Sequence, residues 1–171
     1  MTYQEAVDDF LAQDHIAVAG VSREGSLPAN AIFRRLRDAG YDVVPVNPQA
    51  DRVENARCYS SVSAVPGPLD AVMIATPPDA AFRIVEDAHR RGITRVWMHR
   101  AWGPGSVDDT AVHRARELGM TVIPGGCPMM FVEPVDRFHA GLRWMRRVTR
   151  TEPAVDTVST GSGPRGSVPQ R

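Results

Sequence analysis

The residues of this chain best placed to do chemistry lie in the segment IAVAGVSREGS, where an apolar strand, Ile16 to Ala19, runs into the turn Gly20-Val21-Ser22-Arg23 ahead of a helix. Glycine lets the backbone turn tightly, and a helix start presents unpaired amide hydrogens to an anion, so such a junction binds phosphate. The two commonest nucleotide patterns are not met. A dinucleotide fingerprint wants three glycines where only Gly20 and Gly25 stand, and no Lys follows Gly25. The chain in fact has no Lys, all 20 basic residues being arginine. A P-loop lysine and Schiff-base chemistry are thereby excluded from this polypeptide alone. The turn reads as a loop for a less common nucleotide.

Other reactive side chains give weaker signals. His15, His89, His99, His113 and His139 show neither H-x-H nor H-x-x-x-H spacing, so no metal site is expected. Only His99 falls on the expected ligand edge, where packing or hydrogen bonding is a better reading than acid or base work. In Gly125-Gly126-Cys127-Pro128 a thiol ends a strand and stands near a helix start, where amides favour thiolate. The alternative is a small buried hydrophobe. Cys58 lies in the longest connection and carries no such cue.

These residues are positioned by a repeating pattern. RDAGYDVVPV, HRRGITRVWM and RELGMTVIPG each end an amphipathic stretch at a glycine and continue as a β-rich run. Gly40, Gly92 and Gly119 thus sit where left-handed helix caps belong. The preceding helices bring Ile32, Phe33 and Leu36, then Ile84, Val85 and Ala88, then Val107, Ala111, Ala115 and Leu118 onto single faces. Ser106 with Asp109 makes a capping box for the last of them. Strands are expected at 16–20, 42–46, 70–75, 94–98 and 120–124, apolar enough to be buried on both faces of a parallel sheet. The fold class is α/β: a doubly wound, mainly parallel five-stranded sheet with helices on both faces.

Ligands of such sheets bind beyond the carboxyl ends of the strands. The loops there, 20–27, 47–59, 76–79, 99–105 and 124–134, are rich in Pro and Gly and poor in acid or base side chains. A binding edge is expected more than a catalytic one. After the second strand a dinucleotide enzyme carries an acid for the ribose hydroxyls. Here the chain reads Val46-Asn47-Pro48-Gln49, which disfavours NAD, and Arg52 a few residues on would meet a phosphate at the ribose.

With 20 basic and 20 acidic residues, the charge balance gives no case for nucleic acid or an acidic membrane. The polar, acidic start MTYQEAVDDFLAQ lacks signal-peptide character, and no apolar run approaches a membrane span. A cytoplasmic protein with reduced cysteines is expected. The chain divides into an N-terminal helix (1–13), a nucleotide-binding domain (14–131), a basic amphipathic helix (132–150) and a tail (151–171). Val135, Phe138, Leu142 and Met145 form a docking stripe on the basic helix, and Arg137, Arg143, Arg146, Arg147 and Arg150 occupy its other faces. The partners considered for that helix are the domain itself, a second copy in a homodimer, and an acidic protein. The Ser/Thr/Gly/Pro-rich tail reads as disordered.

The pieces IAVAGVSREGSLPANAIFRRL, GYDVVPVNPQ, LDAVMIATPPD, GITRVWMHRAWG and GMTVIPGGCPMMF together resemble the small stand-alone CoA-binding proteins. These are similar to the N-terminal CoA-binding domain of the succinyl-CoA synthetase alpha subunit, with its Rossmann-like fold. The resemblance implies a coenzyme A or acyl-CoA ligand whose diphosphate lies on Gly20, Val21, Ser22 and Arg23. Val46, Asn47 and Pro48 would take the adenosine side, and Thr76, Pro77 and Pro78 the pantetheine wall. Two departures are Gln49, where the family often has a basic residue, leaving Arg52 for the 3′-phosphate, and His99, where Gln is common. The synthetase's phosphorylated His belongs to a second domain, so catalysis by this chain alone is not expected. The rival reading is an NAD(P)-binding redox module or NADH sensor. A branched side chain at Gly20 is expected to block the ligand and spare the fold. Cys127, on the same edge, is expected near enough to exchange with a bound CoA thiol.

Overall fold

The computed structural model describes residues 1–155 except Trp102, Pro104, Asp136 and Arg150. Its strands are β1 (His15–Ala19), β2 (Asp42–Val46), β3 (Arg52–Val53), β4 (Ala56–Arg57), β5 (Ala71–Ile74), β6 (Arg95–Met98) and β7 (Thr121–Pro124). Its α-helices are α1 (Tyr3–Leu11), α2 (Pro28–Asp38), α3 (Pro78–Arg90), α4 (Asp109–Glu117) and α5 (Arg137–Val148). Five strands form one sheet in the order β2-β1-β5-β6-β7, every neighbouring pair parallel. This is the doubly wound α/β sheet expected from the pattern. The order reverses between β1, which leads outward to β2, and β5, which leads to β6 and β7.

The helices cover both faces. One core joins Val7 and Phe10 of α1 and Ile32, Phe33 and Leu36 of α2 to Ile16, Val18, Met73 and Trp97. The other joins Ala81, Val85 and Ala88 of α3 and Ala111 and Ala115 of α4 to Ala17, Val72, Ile74, Val96 and Val122. Alternate residues of each strand therefore serve opposite faces. The three helix caps are as the glycines imply: Gly40, Gly92 and Gly119 have φ of 97°, 74° and 73°. Tyr41, Ile93 and Met120 each donate an amide back to Leu36, Ala88 and Ala115, the long bond of a Schellman motif.

Several details differ from expectation. β2 is an edge strand, and its residues Asp42 to Val44 are not fully buried. α4 begins at Asp108, whose carboxylate accepts from the Ala111 amide, while Ser106 is buried and its amide donates to the His99 carbonyl. Competition between two acceptors was won by the residue nearer the helix. Residues 52–57 make an antiparallel hairpin turning at Glu54 and Asn55, with φ of 50° and 63°. On α5, Leu142 packs on Met130 and Cys127, but Met145 is 43% exposed beside the exposed Trp144 and Val148. Residues 151–155 are not free: Val155 is buried in the first core, and Arg116 donates to the Ala154 carbonyl. The rest of the expected tail, 156–171, lies outside the described residues, as does the side chain of Phe138. No helix among the described residues is long and apolar enough to cross a membrane.

Candidate functional site

The first turn is built by close backbone approach. The Gly20 amide donates to the Val46 carbonyl at 2.9 Å, and the Ala75 amide to the Ala19 carbonyl at 2.9 Å, so the ends of β1, β2 and β5 are locked together. Gly20 has φ of 103°, and a Cβ placed on it would lie 2.5 Å from the Ala75 carbonyl oxygen. The glycine is required by the protein's own backbone, not only by the space a ligand would need. The expectation that a branched residue at position 20 spares the fold is therefore corrected: β5 stands where that side chain would go.

Side chains then fix the loops. Asn47 donates from Nδ2 to the Val21 carbonyl at 2.9 Å, and its Oδ1 accepts from the Gln49 amide at 2.9 Å. Arg23 spans from the first turn to the Gln49 carbonyl at 2.7 Å. Behind the turn, fully buried Asn30 accepts from the Ser22 amide at 3.2 Å and donates to the Ser22 carbonyl at 2.7 Å and to Glu54 at 2.6 Å. Arg34 neutralises Glu54 at 2.6 Å and donates to the Gly25 carbonyl at 3.0 Å. The hairpin turn is thus tied to the Gly20–Arg23 turn by a buried amide and an ion pair.

In front of these loops, at the β1 and β5 reversal, opens a cleft of about 870 Å³. Gly20, Val46, Asn47, Pro48, Thr76 and Pro77 line it together, which is the position where open α/β sheets take ligands. The Thr76 hydroxyl is buried and has no hydrogen-bond partner among the described residues, a donor and acceptor left for whatever enters. The opposite wall is the outer face of α3 with the segment 60–63. Asp87 holds that segment, accepting from the Ser63 amide at 3.0 Å and from the Ser63 hydroxyl, and it pairs with Arg90 at 3.2 Å. Burial pushes the Asp87 carboxyl up, but the Ser63 and Arg90 contacts outweigh it and hold the pKa below the ordinary value. Asp87 is a structural anion.

The remaining expected residues are placed elsewhere. Val21 is buried beneath the turn, Ser22 faces Asn30 and Glu24, and Pro78 opens α3 without lining the cleft. Arg52 lies on the hairpin and donates to the Asn55 carbonyl at 3.2 Å. His99 is buried past β6, and Cys127 is buried with Met130 and Leu142 past β7; neither lines the cleft. Cys58 is buried too, and burial raises its thiol pKa, opposing thiolate. Neither cysteine is in a disulfide. Among the described residues no group of three or more His, Cys, Asp or Glu side chains could hold a metal. Sequence reasoning missed Asn30, Glu54, Ser63 and the α3 wall. An asparagine at the start of an apolar helical stripe, where Asn30 stands, is the one signal that pointed inward.

Comparison with known proteins agrees with this architecture. The family model described as a CoA binding domain matches residues 14–133. The Bacillus subtilis protein YneT is 28% identical over 112 residues, 66% of this chain and 80% of YneT. Acetate–CoA ligase (ADP-forming) II of Archaeoglobus fulgidus is 30% identical over 87 residues, half of this chain but 13% of the ligase. Among solved structures, a hypothetical protein from Pyrococcus horikoshii OT3 superposes with a TM-score of 0.69 at 28% identity, over 75% of this chain and 88% of that one. Acetyl-coenzyme A synthetase 1 of Ca. Korarchaeum cryptofilum, solved with phosphate and ADP, does so with a TM-score of 0.57 at 30% identity, over 67% of this chain and 26% of the synthetase. The chain therefore spans a small part of the ligases and nearly the whole of the small relatives, and it belongs to the CoA-binding domain family.

Proposed function

We propose that the cleft binds coenzyme A or an acyl-CoA, with the diphosphate at Gly20 of the first turn, the adenosine side on Val46–Pro48 and the pantetheine arm along Thr76 and Pro77. The observation that carries this reading is that Gly20, Asn47, Pro48 and Thr76, from three separate loops, line one cleft at the sheet's reversal. The names of the related ligases, both acting with CoA, support it. The dinucleotide reading is not favoured. The end of β2 offers Asn47, whose side chain is spent on Val21 and Gln49, and the nearby acid Glu54 is spent on Asn30 and Arg34.

The domain binds its ligand without catalysing a reaction on it. Among the described residues its cleft wall contains no His or Cys, and Asp87 is engaged by Ser63 and Arg90. A cytoplasmic setting suits two cysteines outside any disulfide. Helix α5, with Trp144 and Val148 exposed beside Arg143, is the surface for a second copy of this chain or an acidic protein; light scattering of the wild type and Trp144→Ser tests the first. Calorimetric titration with CoA, acetyl-CoA, NADH and NADPH tests the ligand assignment. Binding of the CoA compounds alone, or more tightly, is the expected result.

A further inference from the structure

We propose that Arg83, assisted by Arg90, holds a phosphomonoester on the ligand's adenosine, so that the cleft selects a 3′-phosphorylated nucleotide over its dephospho form. The inference rests on the CoA reading and adds to it the group that confers selectivity.

Helix α3 presents Asp79, Arg83, Asp87 and Arg90 to the cleft. These positions are three or four residues apart and so share one face, and at 1.5 Å per residue they span roughly 16 Å. The wall is long enough for more than a diphosphate. Arg83 and Arg90 are the cations that line the cleft among the described residues. The other candidates for a phosphate are committed: Arg52 bonds the hairpin carbonyl of Asn55, Arg23 the carbonyl of Gln49, and Arg34 the carboxylate of Glu54. Gln49, in the β2 loop, brings no charge.

Arg83 is exposed and makes no hydrogen bond or ion pair with any described residue, although Asp79 and Asp87 stand one turn to either side. Asp87 is turned to Ser63 and Arg90. A guanidinium free in a cleft wall suits a tetrahedral dianion, which it grips with two parallel hydrogen bonds. Asp79 opposes an anion there, and a doubly charged monoester draws the stronger attraction from the two arginines that must outweigh it. Among the described residues the wall is built by the loops after β1, β2 and β5, by α3 and by segment 60–63. Segment 60–63, whose Ser63 amide donates to Asp87, follows Tyr59, which bridges to Val46 at the end of β2, so Arg83 and Arg90 stand on the side of the cleft given to the adenosine.

The test is calorimetric titration of the intact chain with CoA and with 3′-dephospho-CoA, for wild type, Arg83→Gln, Arg83→Gln/Arg90→Gln and Arg52→Gln. Wild type should prefer CoA by about tenfold or more, the scale of one charge-assisted phosphate contact. Arg83→Gln should remove most of that preference by weakening CoA alone, the double variant should remove the rest, and Arg52→Gln should keep it. A preference that survives the double variant or disappears in Arg52→Gln overturns the proposal. So does equal wild-type affinity for the two compounds, while leaving the CoA reading intact. No wild-type binding of either compound overturns both.

Discussion

Gly20 and Ala75 approach so closely that a Cβ on the glycine would stand 2.5 Å from the alanine carbonyl oxygen. The turn after β1 and the wall after β5 are one rigid unit, and the cleft opens in front of it. The fold needs this glycine for the backbone contact alone.

Gly20→Val is therefore expected to destabilise the protein as well as block the cleft. Overpacking against backbone, with φ of 103° denied to a side chain, costs about 2–4 kcal/mol. Urea or thermal unfolding measures it. A variant as stable as the parent would show that β5 yields to a side chain at this point.

Asn30→Ala should lower stability by roughly 2–3 kcal/mol and weaken ligand binding, because it leaves the Ser22 amide, the Ser22 carbonyl and Glu54 without their buried partner. Unfolding and titration of the same variant check the two effects. Loss of stability with unchanged affinity would separate the turn's brace from the site.

Much of this was legible in the sequence, and the reason lies in how far each cause acts. Gly40, Gly92 and Gly119 cap helices through bonds five residues long, so local spacing reveals them, and with them the β/α alternation and the sheet. Gly20, Asn47 and Thr76 line one cleft because strand ends converge in any doubly wound sheet, and that convergence is what let their loops be listed from the sequence. Asn30 and Glu54 meet 24 positions apart, and Ser63 and Asp87 likewise; no periodicity records such pairs. Cys127 shares the sheet edge with the cleft but ends β7, two strands away from β5. An edge position gave the side of the sheet and not the distance along it.

At the opposite end of the sheet His15 and Asp70 make stability depend on pH. The Asp70 carboxylate accepts from His15 Nδ1 at 2.9 Å and from the His15 amide at 3.0 Å. The side-chain bond to Asp70 raises the imidazole above its ordinary 6.5; the backbone and side-chain bonds from His15 lower Asp70 below 3.8. The histidine's contribution is full below 6.5 and lost as pH rises through its folded value; the aspartate's is full above 3.8 and lost as pH falls through its own. Asp70→Asn should consequently cost more stability near about pH 5.5 than near about pH 9, as read from urea midpoints. An equal cost at both would remove the pair from the account.

The start of the C-terminal segment should matter too. Ending the chain after Arg150 removes buried Val155 and the Ala154 carbonyl that Arg116 bonds. Compared with a chain ending after Val155, it should lose about 1.5 kcal/mol, a few degrees of melting temperature. Equal melting temperatures would show that residues 151–155 contribute nothing.

The cysteines give a simpler expectation. Cys58 and Cys127 are buried and neither lines the cleft, so exchange of Cys127 with a bound CoA thiol, expected from its place on the sheet edge, is replaced by slow labelling of both. Incubation with CoA disulfide and peptide mass spectrometry checks this. Rapid adduct formation on Cys127 in the folded protein would bring it back to the ligand.

The central claim is met most directly by calorimetric titration of the wild-type chain with CoA and with NADH under one set of conditions. The account predicts saturable binding of CoA, tighter than that of NADH, because Asn47 and not a carboxylate ends β2. Absence of CoA binding, or NADH binding equal to or tighter than CoA, would contradict it.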